Sequence, residues 1–117
     1  MNKRKVGGFY EEQAALFLES QGLFIKERNY RCRLGEVDLI ARDGECLVFV
    51  EVKYRFSMKA GNAWEAVDKK KQKIISKVAA QYLAIHFHTL DIACRFDVVG
   101  FEKDKPFWIK NAFDFCV

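Results

Sequence analysis

The sequence predicts an α/β fold, a central mixed sheet flanked by helices in the order α-β-β-β-α-β. Three observations carry that prediction. Apolar residues recur at helical spacing in two separate segments, near residues 9–21 and from about residue 62 to 85. Between them lie two apolar runs, 36–42 and 46–54, joined by Asp43-Gly44, a strong two-residue hairpin signal. The second helix then separates the third strand from a fourth at 93–101, and a right-handed crossover helix makes such strands parallel.

Each element has its own signals. In FYEEQAALFLESQ, Phe9, Ala14, Phe17, Leu18 and Gln21 share helical spacing while Glu11, Glu12 and Glu19 take other positions, and Gly22 is a stop signal. Residues 23–31 read as a strand of imperfect alternation. Centring a type I′ turn on Asp43-Gly44 pairs Arg42 with Glu45, Ile40 with Leu47, Asp38 with Phe49 and Glu36 with Glu51. Period two then puts Val37, Leu39, Val48, Val50 and Val52 on one face. Glu36, Asp38, Ile40, Leu47, Phe49, Glu51 and Lys53 fall on the other, and apolar residues on both faces indicate a sheet covered on both sides. The second helix is expected to begin after Gly61, capped by Asn62 with Glu65 three positions on. Val67, Ile74, Ile75, Val78, Tyr82 and Leu83 form its apolar stripe. Strands follow at 93–101 and within 107–111.

Composition bounds the class. The chain has 117 residues, half of them hydrophobic and 15% aromatic with eleven Phe, which suits one domain over residues 1–117 that buries roughly two thirds of its unfolded surface. One Pro and seven Gly argue against disorder. No apolar run approaches the about 20 residues a membrane span needs, and the basic start MNKRKVGG has no apolar stretch behind it, so a cytoplasmic protein with no membrane partner is expected. Cys32, Cys46, Cys94 and Cys116 form no C-x-x-C, which argues against zinc and for free thiols in a reducing compartment. The net charge of +4 is unevenly spread: Lys53 to Lys77 holds eight basic and two acidic residues. Such a stretch is either a phosphate-holding patch or a solvated lysine face.

Asp38, Glu51 and Lys53 interrupt the apolar hairpin on one face. On the expected register Asp38 and Glu51 are diagonal neighbours, about 7–8 Å apart by backbone. Carboxylates so placed repel unless a cation sits between them, and Mg²⁺ takes one or two carboxylates plus waters. Lys53, two residues on, is placed to act on a metal-bound water or on phosphate charge. Glu51-Val52-Lys53 taken alone is also what chance supplies, and a neutral ion pair at a strand edge explains it as well. The combination with a same-face Asp38 and a basic helix downstream favours a site, since unpaired buried carboxylates cost several kcal/mol.

Several motifs together resemble the YraN family of small bacterial proteins, within the PD-(D/E)xK nuclease superfamily and its restriction-endonuclease-like core. Glu11, Ala14, Leu18 and Gly22 follow its E-x-x-A-x-x-x-L-x-x-x-G pattern. RNYR at 28–31, GEVDLIARDG at 35–44 and VFVEVK at 48–53 match its segments, as do EAV at 65–67, RFDVV at 95–99 and NAF at 111–113. The resemblance covers nearly the whole chain. It implies that Asp38 and Glu51 bind Mg²⁺ (or Mn²⁺) with the backbone carbonyl of Val52, that Lys53 acts on the attacking water, and that Glu11 completes the catalytic set. Holliday-junction resolvases share this order of groups, and resolvase-like chemistry calls for a two-fold homodimer.

The expected activity is therefore metal-dependent hydrolysis of phosphodiesters in branched or otherwise structured DNA. Arg55, Lys69, Lys70 and Lys73 are expected to steer the nucleic-acid backbone. Two alternatives stand beside it: a non-catalytic nucleic-acid-binding protein that keeps the fold, and an interaction protein whose charged cluster is an ion-pair network. Tyr54 either stacks on a base or faces the core. Glu36 is either an additional ligand near Asp38 or a solvated turn residue. Asp97 is expected to be a structural ion-pair partner, and Trp108 to be packing.

Overall fold

The computed structural model describes residues 3–55 and 67–116, with side chains from residue 7 onward. Helix α1 spans Lys3–Ser20, followed by strands β1 (Phe24–Cys32), β2 (Gly35–Asp43) and β3 (Cys46–Lys53). Helix α2 (Lys69–Phe87) leads to β4 (Cys94–Glu102) and β5 (Lys105–Phe113). The expected order is present and is extended by β5, the strand anticipated within 107–111. The five strands form one mixed sheet in sequence order, antiparallel throughout except for the parallel pair β3–β4 across the α2 connection.

Helix α1 ends as its Gly22 predicts. Gly22 has φ +97; its N–H donates to the Glu19 carbonyl and the Leu23 N–H reaches back to the Leu18 carbonyl, satisfying two orphan acceptors. Helix α2 begins later than expected. Asp68 is its N-cap, with Oδ1 accepting from the Lys71 N–H at 2.8 Å. Val67 and Asp68 are not helical, so the helix does not run continuously from residue 62; the Asn62–Glu65 pair itself lies outside the described residues.

The core divides into two layers. Ile75, Val78, Ala79, Tyr82 and Leu83 of α2 pack with Ile40, Leu47, Phe49, Phe96 and Val98. Ala14, Ala15 and Leu18 of α1 pack with Leu39, Ala41, Val48, Val50, Val99 and Phe101. Along β3 the alternation is regular, and each helix takes one face of the sheet, as the two-sided apolar pattern predicts.

Two features of the hairpin depart from the expected register. Asp43 pairs with Cys46, Arg42 with Leu47 and Ile40 with Phe49. The central turn residues are thus Gly44 and Glu45, with positive φ only at Gly44, the pattern of a type II′ turn. A shift of this size preserves which face each β3 residue takes. The second departure is in β2, where Val37 packs in the α2 layer although Leu39 packs in the α1 layer. Across from this break Asn29 of β1 adopts φ +53. The pleat therefore skips a step at Asp38 instead of running evenly through it.

Two ties bind distant parts of the chain. Asp97, fully buried on β4, accepts from Arg95 Nε (3.0 and 3.1 Å), Trp108 Nε1 (2.9 Å) and the Asn111 N–H (2.8 Å). Arg95 continues to Asp43 at 3.0 Å. Asp97 is the structural ion-pair partner expected, and Trp108 is packing as expected, with its ring edge-on to Phe17. The second tie joins Tyr10 of α1, through its hydroxyl, to Asp104 in the β4–β5 turn at 2.6 Å.

Candidate active site

The β2–β3 ladder closes at Leu39–Val50, and the next residue on each strand is Asp38 and Glu51. They lie one step past the last paired residues and meet through their side chains, where the expected register made them diagonal. Beyond this point the strands part, and the Val52 N–H donates not to a β2 carbonyl but to Asp38 Oδ2 at 2.8 Å. The aspartate side chain thus occupies a gap in the ladder. This is a chemical reason for the break in the pleat: a carboxylate there satisfies an N–H that would otherwise be orphaned.

From that position Asp38 reaches both layers. Its carboxyl is in hydrogen-bonding contact with Glu51 on one side and with Glu11 of α1 on the other. Glu51 is 7% exposed, and its pKa is pushed up to about 9, first by burial, then by the hydrogen bond and charge of Asp38. Lys71 and Lys53 pull it down, less strongly. Its Oε2 is buried without a hydrogen-bond partner among the described residues, and Lys71 Nζ stands 3.5 Å from it. Glu11 is also raised, first by burial and then by the charge of Asp38, while a hydrogen bond from Asn29 opposes the shift.

The structure thus brings together Glu11, Asp38 and Glu51, with Lys53 close enough to act on Glu51 electrostatically. Among the described residues no three His, Cys, Asp or Glu side chains are disposed as a ready-made metal-ligand group. Asp38 and Glu51, with the Val52 backbone between Glu51 and Lys53, are the groups that could hold a cation. Glu36 pairs with Arg31 at 2.8 Å, although its charge is still felt at Glu11. Arg28 pairs with Glu12.

The basic residues divide. Arg55 is exposed and lies over the Tyr54 ring, 5.7 Å from its centroid. Tyr54 stacks on Tyr10, centroids 5.6 Å apart, so its ring faces α1. Lys69, Lys70 and Lys73 stand around the first turns of α2, all three exposed. Lys71, which in the sequence is only one member of the basic cluster, is the lysine that reaches the carboxylates. A signal for it is present: residues 71, 75, 78 and 82 share one helical face, the face that carries the buried Ile75, Val78 and Tyr82.

A family model described as "Uncharacterised protein family UPF0102" matches residues 10–101. The chain belongs to the UPF0102 family. A UPF0102 protein of Lachnoclostridium phytofermentans is 47% identical over 114 residues, covering 97% of each chain. One from Aeromonas hydrophila is 48% identical over 92% of this chain and 83% of its own, and one from Alkalilimnicola ehrlichii is 43% identical over 93% and 86%. UPF0102 is the YraN family that the sequence motifs resemble. The UPF0102 match begins at Tyr10 and ends at Phe101, so it contains Glu11, Asp38, Glu51, Lys53 and Lys71 together.

Proposed function

We propose that this protein is a metal-dependent endonuclease that hydrolyses phosphodiester bonds in structured DNA. The observation that supports this reading most is the meeting of Asp38 and Glu51 from two parted strands, with Glu51 Oε2 buried and unsatisfied. A buried carboxyl pair that keeps a proton at neutral pH gives it up to a divalent cation, because two positive charges compensate what one proton cannot. The donors are all hard oxygens, two carboxylates and the Val52 carbonyl, and suit Mg²⁺ or Mn²⁺ with waters completing the shell. Such an ion supplies a water of lowered pKa and neutralises charge on a phosphate oxygen.

The chain's own residues have separate tasks. Asp38 and Glu51 would hold the ion, and the Val52 N–H fixes the orientation of Asp38. Glu11, hydrogen-bonded to Asp38, is the auxiliary carboxylate. Lys53 holds its ammonium beside Glu51, where it takes part in moving a proton of the attacking water or stabilises charge on the phosphate. Arg55, Lys69, Lys70 and Lys73 supply phosphate contacts from solvent-facing positions. Contacts of that kind carry no base sequence, so the substrate is recognised by shape, as a junction, flap or end.

A second reading is a nucleic-acid-binding protein without turnover, which the exposed Lys69, Lys70 and Lys73 on α2 would serve as well. One experiment separates the two: branched, flapped, nicked and linear DNA incubated with Mg²⁺ or Mn²⁺, comparing wild type with Lys53→Ala and Glu51→Ala. Cleavage that needs the metal and disappears in both variants supports the endonuclease. Salt-dependent binding of the same DNA with no cutting under any condition supports the second reading.

A further inference from the structure

The ammonium of Lys71 has no part in the expected catalytic set, yet it stands 3.5 Å from the unsatisfied oxygen of that set. Its backbone is fixed: the Asp68 cap accepts the Lys71 N–H at 2.8 Å, so the first turn of α2 cannot rotate the residue away. Its side chain is 39% exposed, whereas that of Glu51 is 9% exposed. The contact of 3.5 Å is electrostatic, without a hydrogen bond, since Glu51 Oε2 has no such partner among the described residues. One end of the pair is therefore buried and fixed, and the other is loosely held with a route to solvent.

We infer that Lys71 is a built-in counter-charge for the Asp38–Glu51 carboxyl pair that yields its place to a divalent cation and then takes a phosphate oxygen of the substrate. The inference rests on the metal-site reading above. A cation bound at about 2.1 Å from a carboxylate oxygen and an ammonium at 3.5 Å from the same oxygen repel each other, so the mobile one moves. Its capped backbone keeps it within one side-chain length of the site. Lys53 from β3 and Lys71 from α2 then approach the same phosphate from two different elements. Lys69, Lys70 and Lys73, on the same helix, contact phosphates farther along the backbone. Lys71 thereby couples the two ligands: the metal releases it, and the nucleic acid receives it.

The test uses the full chain with Lys71→Gln and Lys71→Arg. Titration calorimetry with Mn²⁺ at low ionic strength should show Lys71→Gln binding about tenfold more tightly than wild type, because a like charge near the ion is gone. Lys71→Arg should stay near wild type. Binding of branched DNA in Ca²⁺ should weaken in Lys71→Gln, and the slope of log K against log salt should fall by about one. A residue that merely supported the helix would move neither the Mn²⁺ affinity upward nor the salt slope. Mn²⁺ affinity unchanged or lowered in Lys71→Gln, with wild type binding the ion, overturns this inference alone. Wild type that binds no Mn²⁺ overturns the metal-site reading, and this inference with it.

Discussion

At Glu51 burial and the Asp38 carboxyl outweigh the pull of two lysines, and the outcome has a definite pH signature. The folded pKa of about 9 lies above the ordinary carboxylate value of 4.5, so between those limits the folded protein binds more protons than the unfolded chain. This contribution to stability is complete below pH 4.5 and is lost as pH rises towards 9. Thermal melts of metal-free protein should therefore show Glu51→Gln gaining on wild type as pH rises from 5 to 9, by on the order of 5 °C at the alkaline end. Mn²⁺ should raise the wild-type melting temperature most where the metal-free protein is weakest, and Asp38→Asn should abolish that rise. Asp97 presents the opposite case, a buried carboxylate with both oxygens engaged. Asp97→Ala leaves Arg95, Trp108 and the Asn111 N–H without it and should cost about 3–5 kcal/mol in urea denaturation. Two buried carboxyls in similar β-rich segments thus differ in their partners: Asp97 accepts from donors on both oxygens, whereas Glu51 shares its site with a second acid.

Among the elements, β2 and α2 meet closely at Gly35. Gly35 has φ +147, and a Cβ there would lie 2.5 Å from Ile74 Cγ2. Gly35→Ala should destabilise by about 2–4 kcal/mol in urea melts. Adding Ile74→Ala should relieve the steric part and leave the backbone part. This contact is not legible in the sequence, because it depends on where a distant helix crosses the strand. What is legible is local or periodic: the Gly22 stop, the strands, the parallel β3–β4 pair and the two-sided core. The sequence alone puts the hairpin turn one residue early, because Asp43-Gly44 satisfies a type I′ turn as well as Gly44-Glu45 satisfies a type II′. Period two misassigns the face of Val37 because it assumes an unbroken pleat, and the break is made by the Asp38 side chain and by Asn29 at positive φ. The convergence of Asp38 and Glu51 survives the register error because a shift of an even number keeps parity, and it survives the break because the Asp38 side chain turns into the gap in the ladder beside Glu51. Charge density alone hides Lys71 among its neighbours; helical phase singles it out.

In the whole molecule, α1 and α2 lie on opposite faces of one sheet, and the site forms where both reach β2 and β3. Among the described residues no helix is long and apolar enough to cross a membrane. Positive charge gathers on the first turns of α2. Replacing Lys69, Lys70 and Lys73 together by Gln should weaken binding to all DNA forms and lower the salt slope by about two to three, at roughly 0.9 for each phosphate left without its lysine. The fold should be left intact, because none of the three side chains is buried. The hydroxyl tie from Tyr10 to Asp104 spans 94 residues. Glu11 follows Tyr10 directly, so its seat is tied to a hairpin made long after the helix that bears it. During synthesis the strands bearing Asp38 and Glu51 emerge while that helix still lacks its far anchor. Assembly is thereby ordered in time, and a nascent chain halted before Asp104 carries Asp38 and Glu51 without the tie that holds α1 at its far end.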